Sequence, residues 1–254
     1  MKIKTTLQTN QKLSSAVKAE MWLLYQQFYA EMEINFYQKI KAYNYFSFFS
    51  VNGKMIGFMG IQTARPTLNT QTYLLCRFGQ AVILEPYQGK GLLQRAVLKL
   101  SSLFWREVFA GKLICWGNAI TYKSYLVFAK TAAQFYPNYR QPTPYNLKDV
   151  IDFIGTNYFA TTYEASLGIV KQSTIPLRDN SNLICHKYKE DSNIRFFSEI
   201  NPQYETGYGV ITIALMNWTN IISLLKKSRT SLLSDIVSLN NRSHLADYTR
   251  LLVN

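Results

Sequence analysis

Apolar residues recur at three- and four-residue steps through Leu13, Val17, Met21, Leu24, Phe28 and Met32, which predicts a helix over about residues 11–43. The pattern then alternates. Tyr45-Phe46-Ser47-Phe48-Phe49-Ser50-Val51 reads as a strand, Asn52-Gly53 as a two-residue hairpin turn, and residues 54–62 as the returning strand. Pro66 follows in a polar stretch, and a third strand is predicted over about residues 72–84. A long helical pattern opens at Leu92. Lys112-Leu113-Ile114-Cys115-Trp116 reads as a short buried strand that ends at Gly117-Asn118, and Tyr122, Leu126, Ala129, Ala133 and Tyr136 mark one face of a helix over about residues 121–136.

Past Pro142 and Pro144 the pattern predicts a helix over residues 146–158, a strand over 161–170 and a polar surface stretch over 178–193. A strand over 208–218 and a basic amphipathic helix over 219–239, carrying Lys226, Lys227 and Arg229, complete the reading. No repeat is visible and no linker-like composition divides the chain. The expectation is one domain, with a core over residues 1–140 and an extension over 141–254 that shapes a pocket on it.

The most specific chemical feature lies between the third strand and the helix after it. Val82-Ile83-Leu84-Glu85 is followed by Pro86-Tyr87-Gln88-Gly89-Lys90-Gly91, and the helix opens at Leu92. A helix start leaves backbone N–H groups unpaired at the positive end of its dipole, so it attracts phosphate. Gly89 and Gly91 have no Cβ to hold a ligand off the backbone. The spacing is not that of a P-loop, because Lys90 is followed by Gly91, nor of a dinucleotide fingerprint, because Gln94 stands where that motif has Gly. The bland alternative is an ordinary glycine-containing turn.

Composition narrows the field. Hydrophobic residues make up 48% of the 254 and charged ones 17%, which describes a globular chain. No run of apolar residues is long enough to cross a membrane, and the opening Met1-Lys2-Ile3-Lys4-Thr5-Thr6 lacks the apolar block of a secretory signal. Three widely spaced cysteines, Cys76, Cys115 and Cys185, form neither a disulfide framework nor a zinc cluster, and with His186 and His244 the only histidines no metal is expected. A cytoplasmic protein with reduced thiols is the default. The net charge is +13, and Arg95, Lys99 and Arg106 fall on one predicted helix face, a field that attracts polyanions. Aromatics are plentiful, 18 Tyr and 15 Phe, which suits a large core or an apolar tunnel and leaves room for a homodimer through strand edges.

Gln88-Gly89-Lys90-Gly91-Leu92-Leu93 resembles the Gln/Arg-x-x-Gly-x-Gly/Ala motif of the GNAT superfamily, the acyl-CoA-dependent N-acyltransferases; Leu93 departs from the usual small residue. Asn118, Thr121 and Tyr125 resemble that family's Asn-x-x-Ala-x-x-x-Tyr element. The predicted order of elements is also similar, and the resemblance covers roughly residues 13–136. It implies an α/β (α+β) fold, a mixed and mostly antiparallel central sheet flanked by helices with a C-terminal extension.

The resemblance further implies transfer of an acetyl or longer acyl group from acyl-CoA to an amine of a small molecule or peptide. Backbone donors of Gln88, Gly89, Lys90, Gly91, Leu92 and Leu93 would hold the pyrophosphate, Ile83 and Leu84 the acyl end and Asn118 the pantetheine arm, with Tyr125 as acid and Glu85 as base. Two structural readings stay open: Tyr125 as a core aromatic, and Glu85 as a carboxylate at a helix start. Cys115 reads as a buried structural thiol, because no histidine lies near it in sequence. An acidic acyl carrier protein is an alternative donor and a non-catalytic CoA-binding module an alternative function. Nucleic acid matches the charge, but the chain has no zinc finger, basic zipper or RNA-binding aromatic motif.

Overall fold

The computed structural model describes residues 3–171, 184, 188 and 190–227. Most of the polar stretch over 178–193, Cys185, both histidines and the part of the last predicted helix beyond residue 227 lie outside the described residues.

The chain begins with a strand the hydropathy pattern does not reveal, β1 (Lys4–Thr9), which pairs antiparallel with β2 (Tyr45–Val51). Between them, two helices stand where the periodicity predicts one: α1 (Ser15–Tyr25) and α2 (Glu33–Ile40). Ser14 caps α1 by accepting from the Val17 amide at 3.3 Å. The turn that divides the helices is fixed by Glu31, which accepts from the Tyr25 hydroxyl at 2.7 Å and pairs with Lys39.

Asn52 and Gly53, both with positive φ, turn the chain from β2 into β3 (Lys54–Ala64) as the sequence predicts. A small hairpin, β4 (Thr67–Leu68) and β5 (Gln71–Thr72), precedes β6 (Leu74–Ile83). A single turn of 3₁₀ helix over Glu85–Tyr87 leads to α3 (Leu92–Leu103) and α4 (Trp105–Phe109), and β7 (Leu113–Ala119) follows. Gly117 and Asn118 therefore continue that strand instead of ending it. The next helix, α5 (Tyr122–Thr131), stops five residues before the periodicity does, because Ala132 turns extended.

The rest of the chain adds α6 (Tyr145–Phe159), the short strands β8 (Tyr163–Glu164) and β9 (Ile169–Lys171), α7 (Ser192–Ile200), β10 (Tyr208–Leu215) and α8 (Trp218–Lys227). The single strand expected over 161–170 is thus a tight hairpin, β8 and β9, with Gly168 at positive φ.

Eight strands form one sheet in the order β1-β2-β3-β6-β7-β10-β9-β8. Every pairing is antiparallel except β6 with β7. The fold is therefore the mixed, mostly antiparallel α/β sheet that the sequence leads one to expect. The sheet also runs across residue 140, since β10 comes from the far end of the chain yet lies between β7 and β9.

Both faces are covered. One face of the sheet packs on α3, α4, α5, α7 and α8 through Leu92, Ala96, Leu100, Tyr125 and Phe197. On the other face α1 and α2 cover β2 and β3 through Met21, Tyr25 and Phe36, while α6 covers β7, β9 and β10 through Val150, Ile151 and Ile154. Burying each of the Leu, Ile, Val, Phe and Met side chains among these contributes on the order of 1.5–3 kcal/mol. Strand β6 runs between the two covers of that second face.

Candidate functional site

Strand β6 and strand β7 part company halfway. Their parallel register joins Leu74 to Leu113, Leu75 to Ile114, Cys76 to Cys115 and Arg77 to Trp116, and goes no further. Beyond those pairs β6 keeps its bonds to β3 as far as Ile83, and β7 keeps its bonds to β10 as far as Ala119. A wedge-shaped gap opens between two strands that each retain their outer neighbour.

An extra residue helps to open it. The β3–β6 register slips from Phe58↔Val82 to Gly60↔Gly79, which places one surplus residue on β6, and Gln80 there has φ +49°. Before the bulge the Leu74 amide donates toward β7, to the Lys112 carbonyl at 2.8 Å; after it the Leu84 amide donates toward β3, to the Ile56 carbonyl at 2.9 Å. Amides alternate in direction along a strand, so the bulge has switched the set that faces the gap from even to odd numbers. Leu84, expected to hold an acyl carbonyl with its amide, has that amide committed to Ile56; the residue whose N–H points into the gap is Ile83.

The loop after β6 closes over the end of this gap. The Gln88 side chain donates to the Ile83 carbonyl at 2.9 Å and clamps the loop to the strand it leaves. Gly89 has φ +71°, with open space where a Cβ would point, and Gly91 caps α3 at φ +72°, ψ +23°. A side chain is strained at both positions. Among the described residues the amides of Gly89, Lys90, Gly91, Leu92, Leu93 and Gln94 reach no protein acceptor. Gly89 and Lys90 are exposed, and the Lys90 ammonium lies 5.2 Å from the centre of the Tyr87 ring. Leu93, whose bulk departs from the GNAT-like motif, packs against the core instead of filling the loop.

Other expected residues are placed differently. Tyr125 is 0% exposed, its ring lies against Phe135 and Phe197 at 5.6 and 5.5 Å, and its hydroxyl donates to the Pro137 carbonyl at 2.9 Å. Burial pushes that phenol well above its ordinary pKa, with the Arg140 charge opposing. The hydroxyl is turned into the core and its proton is already engaged, so the geometry gives Tyr125 a structural role. Asn118 stands on the opposite face of the sheet, its side chain laid across Gly209 of β10, where a Cβ would meet the Asn118 Oδ1 at 2.2 Å. The helix cap is Thr121, which exchanges hydrogen bonds with Ser124. Glu85 is exposed at the start of the 3₁₀ turn.

The basic face divides as well. Arg95 is buried and donates to the Ile3 carbonyl at 3.2 Å, tying α3 to the first strand, and Arg106 belongs to the separate helix α4. Cys76 and Cys115 are free, buried neighbours across the paired strands. Burial pushes Cys76 up to about 12 and Cys115 well above the usual thiol range, so neither is a nucleophile at neutral pH. Among the described residues no cluster of His, Cys, Asp and Glu could hold a metal, and no helix is long and apolar enough to cross a membrane.

A surface cleft of about 550 Å³ lined by Asn10, Lys18, Tyr37, Ile40, Lys41 and Tyr45 lies elsewhere. It is on the β1–β2 side of the sheet, at the end away from the loop, because Tyr45 pairs with Ile61 whereas Ile83 pairs with Gly57.

No protein-family model matches the chain, and no curated protein does. Solved structures resemble it in part. A conserved protein of unknown function from Enterococcus faecalis is 12% identical, with a TM-score of 0.37, over 52% of this chain and 33% of that one. The ribosomal-protein-S18-alanine N-acetyltransferase of Escherichia coli is 17% identical, with a TM-score of 0.34, over 55% of this chain and 86% of that one. The Bacillus subtilis N-acetyltransferase YlbP, solved with coenzyme A, is 16% identical, with a TM-score of 0.33, over 50% and 82%. The chain thus spans about a third of the first of these proteins. Likenesses of this size assign no activity. The fold is described by the order and pairing of the chain's own strands, a mixed and mostly antiparallel sheet flanked by helices.

Proposed function

We propose that this protein transfers an acyl group from acyl-CoA to an amine. The observation that carries the proposal is a row of unengaged amides, Gly89 to Gln94, at the start of a twelve-residue helix beside the gap between β6 and β7. Such a row suits a diphosphate, and the adjoining gap suits a thin, extended arm whose amides extend a strand edge. The carbonyl of the acyl group would meet the Ile83 amide, which supplies a donor where negative charge develops as the amine attacks.

The thiolate leaves without a strong acid. A thiol has a pKa of about 8.5, so its anion is a tolerable leaving group near neutral pH. The incoming amine loses its proton to solvent at the exposed Glu85 end of the gap. The acetyl or longer acyl group, the small-molecule or peptide acceptor, and an acyl carrier protein as alternative donor belong to this same reading.

Calorimetric titration with acetyl-CoA, followed by native mass spectrometry, tests it. Binding is expected at micromolar concentrations with one CoA per chain, and no uptake at millimolar CoA would end the proposal. A second reading, a non-catalytic CoA-binding module, is favoured by the engaged Tyr125 hydroxyl and the exposed Glu85. Thiol release with a panel of amines separates the two: a module binds CoA and releases none.

A further inference from the structure

Arg77 ends the paired stretch of β6 and β7 and marks the point where the gap begins. It shares a sheet face with Tyr73 and Leu75, the face on which α6 packs. Its guanidinium lies 5.3 Å from the centre of the Trp116 ring and 5.9 Å from that of Phe159. The side chain is half-buried, yet among the described residues it pairs with no carboxylate and donates no hydrogen bond. A guanidinium presents five N–H donors in a fixed plane, a fork shaped to meet a carboxylate.

Its surroundings are polar at their tips and apolar in their walls. Tyr43 spans Gly60 and Gly79, which face each other across β3 and β6; a Cβ on Gly79 would meet the Tyr43 Oη at 2.3 Å. Two glycines thus make room for the Tyr43 phenol on the sheet face that carries Arg77. Tyr158 closes the other side, its ring 5.0 Å from that of Trp116. Burial raises both phenols, and the Arg77 charge opposes the rise in each.

We propose that Arg77 is the anion anchor for the acceptor, and that the amine acylated here also carries a carboxylate, held by the guanidinium between Tyr43 and Tyr158. The substrate class is then an amino acid or a compound built like one. This rests on reading the β6–β7 gap as the donor site. The guanidinium lies over the Trp116 ring and presents a planar fork, which a lysine at the same position would not reproduce.

The test titrates free amino acids and their uncharged amides into wild-type protein, Arg77→Gln and Arg77→Lys, by calorimetry, with and without CoA. Wild-type protein is expected to bind at least one amino acid about tenfold or more tightly than its amide, the range of a charge-assisted hydrogen bond. Arg77→Gln loses that ratio and Arg77→Lys recovers only part of it, while CoA affinity stays unchanged and reports an intact fold. If wild-type protein does not distinguish acid from amide, or Arg77→Gln keeps the distinction, the anchor is wrong even with CoA bound. If CoA fails to bind wild-type protein, the donor reading fails separately.

Discussion

The two halves of the β6–β7 pair make an instructive contrast. From Leu74 to Arg77 the strands are hydrogen-bonded, and the pair encloses two thiols that burial keeps protonated. From Phe78 to Ile83 the same strand has lost its β7 partner, carries a bulge at Gln80 and runs into a loop in which, among the described residues, the amides of Gly89, Lys90 and Gly91 reach no protein acceptor, whereas those of Tyr87 and Gln88 bond to Leu84 and Glu85. Backbone groups left unmatched cost free energy unless water or a ligand satisfies them. The closed half therefore serves stability, and the open half holds the amides on which the proposed binding rests. Residues that look alike in sequence, such as two glycines or two tyrosines, do different work depending on the half they join.

The strongest way to break the contrast is to force the open half out of place. A Cβ on Gly57 would come within 2.5 Å of the Val82 carbonyl, a backbone atom that cannot rotate away. Gly57→Val should destabilise the protein by about 2–3 kcal/mol or more, measured by urea unfolding, with CoA binding lost alongside. Tyr125→Phe leaves the Pro137 carbonyl without its donor and should cost about 1–3 kcal/mol of stability. Turnover by molecules still folded should be unchanged, and a fall of a hundredfold or more without loss of stability would restore the acid role to Tyr125.

The closed half should respond to pH. Cys76 is raised from its ordinary 9.0 to about 12, so above pH 9 the unfolded chain loses a proton that the native protein keeps. Stability attributable to this thiol is intact below pH 9 and declines between 9 and 12, by up to about 1.4 kcal/mol per pH unit. Urea midpoints at pH 8, 9 and 10 would show the decline; a Cys76→Ala variant should lessen it, with the raised Cys115 thiol supplying the remainder.

Smaller effects belong to the loop. Gly89→Ala meets no steric obstacle but holds an unfavourable φ, so about 1–2 kcal/mol of stability and a severalfold loss of CoA affinity are expected. Glu85→Gln should change acyl transfer by less than about threefold, because the carboxylate is exposed. A pH–rate profile that lost its acidic limb in this variant would reinstate Glu85 as the base.

Much of the fold is legible in the sequence. The β2–β3 hairpin is marked by Asn52-Gly53, and the start of α3 by the glycines before Leu92, because turn chemistry is local. Strand β1 was hidden because Lys4-Thr5-Thr6-Leu7-Gln8-Thr9 is largely polar and acquires its place only by pairing with β2. The division of α1 from α2 depends on Glu31 meeting Tyr25 and Lys39, which helical periodicity cannot register.

The candidate site was legible as a loop and illegible as a constellation. Gln88 to Leu93 announced itself by composition. Tyr125 fits a motif spacing, yet its hydroxyl direction is set by Pro137 twelve residues later. Arg77 belongs to no motif, and its importance comes from Trp116 and Phe159, which only the assembled sheet brings alongside.

The placement of β10 has a consequence for biosynthesis. During translation β7 emerges almost a hundred residues before the strand that will flank it, β10, which starts at Tyr208. Until then the Leu113-Ile114-Cys115-Trp116 edge is an open, sticky template for any neighbouring extended chain. A nascent polypeptide stalled short of residue 208 would be the form most in need of a chaperone.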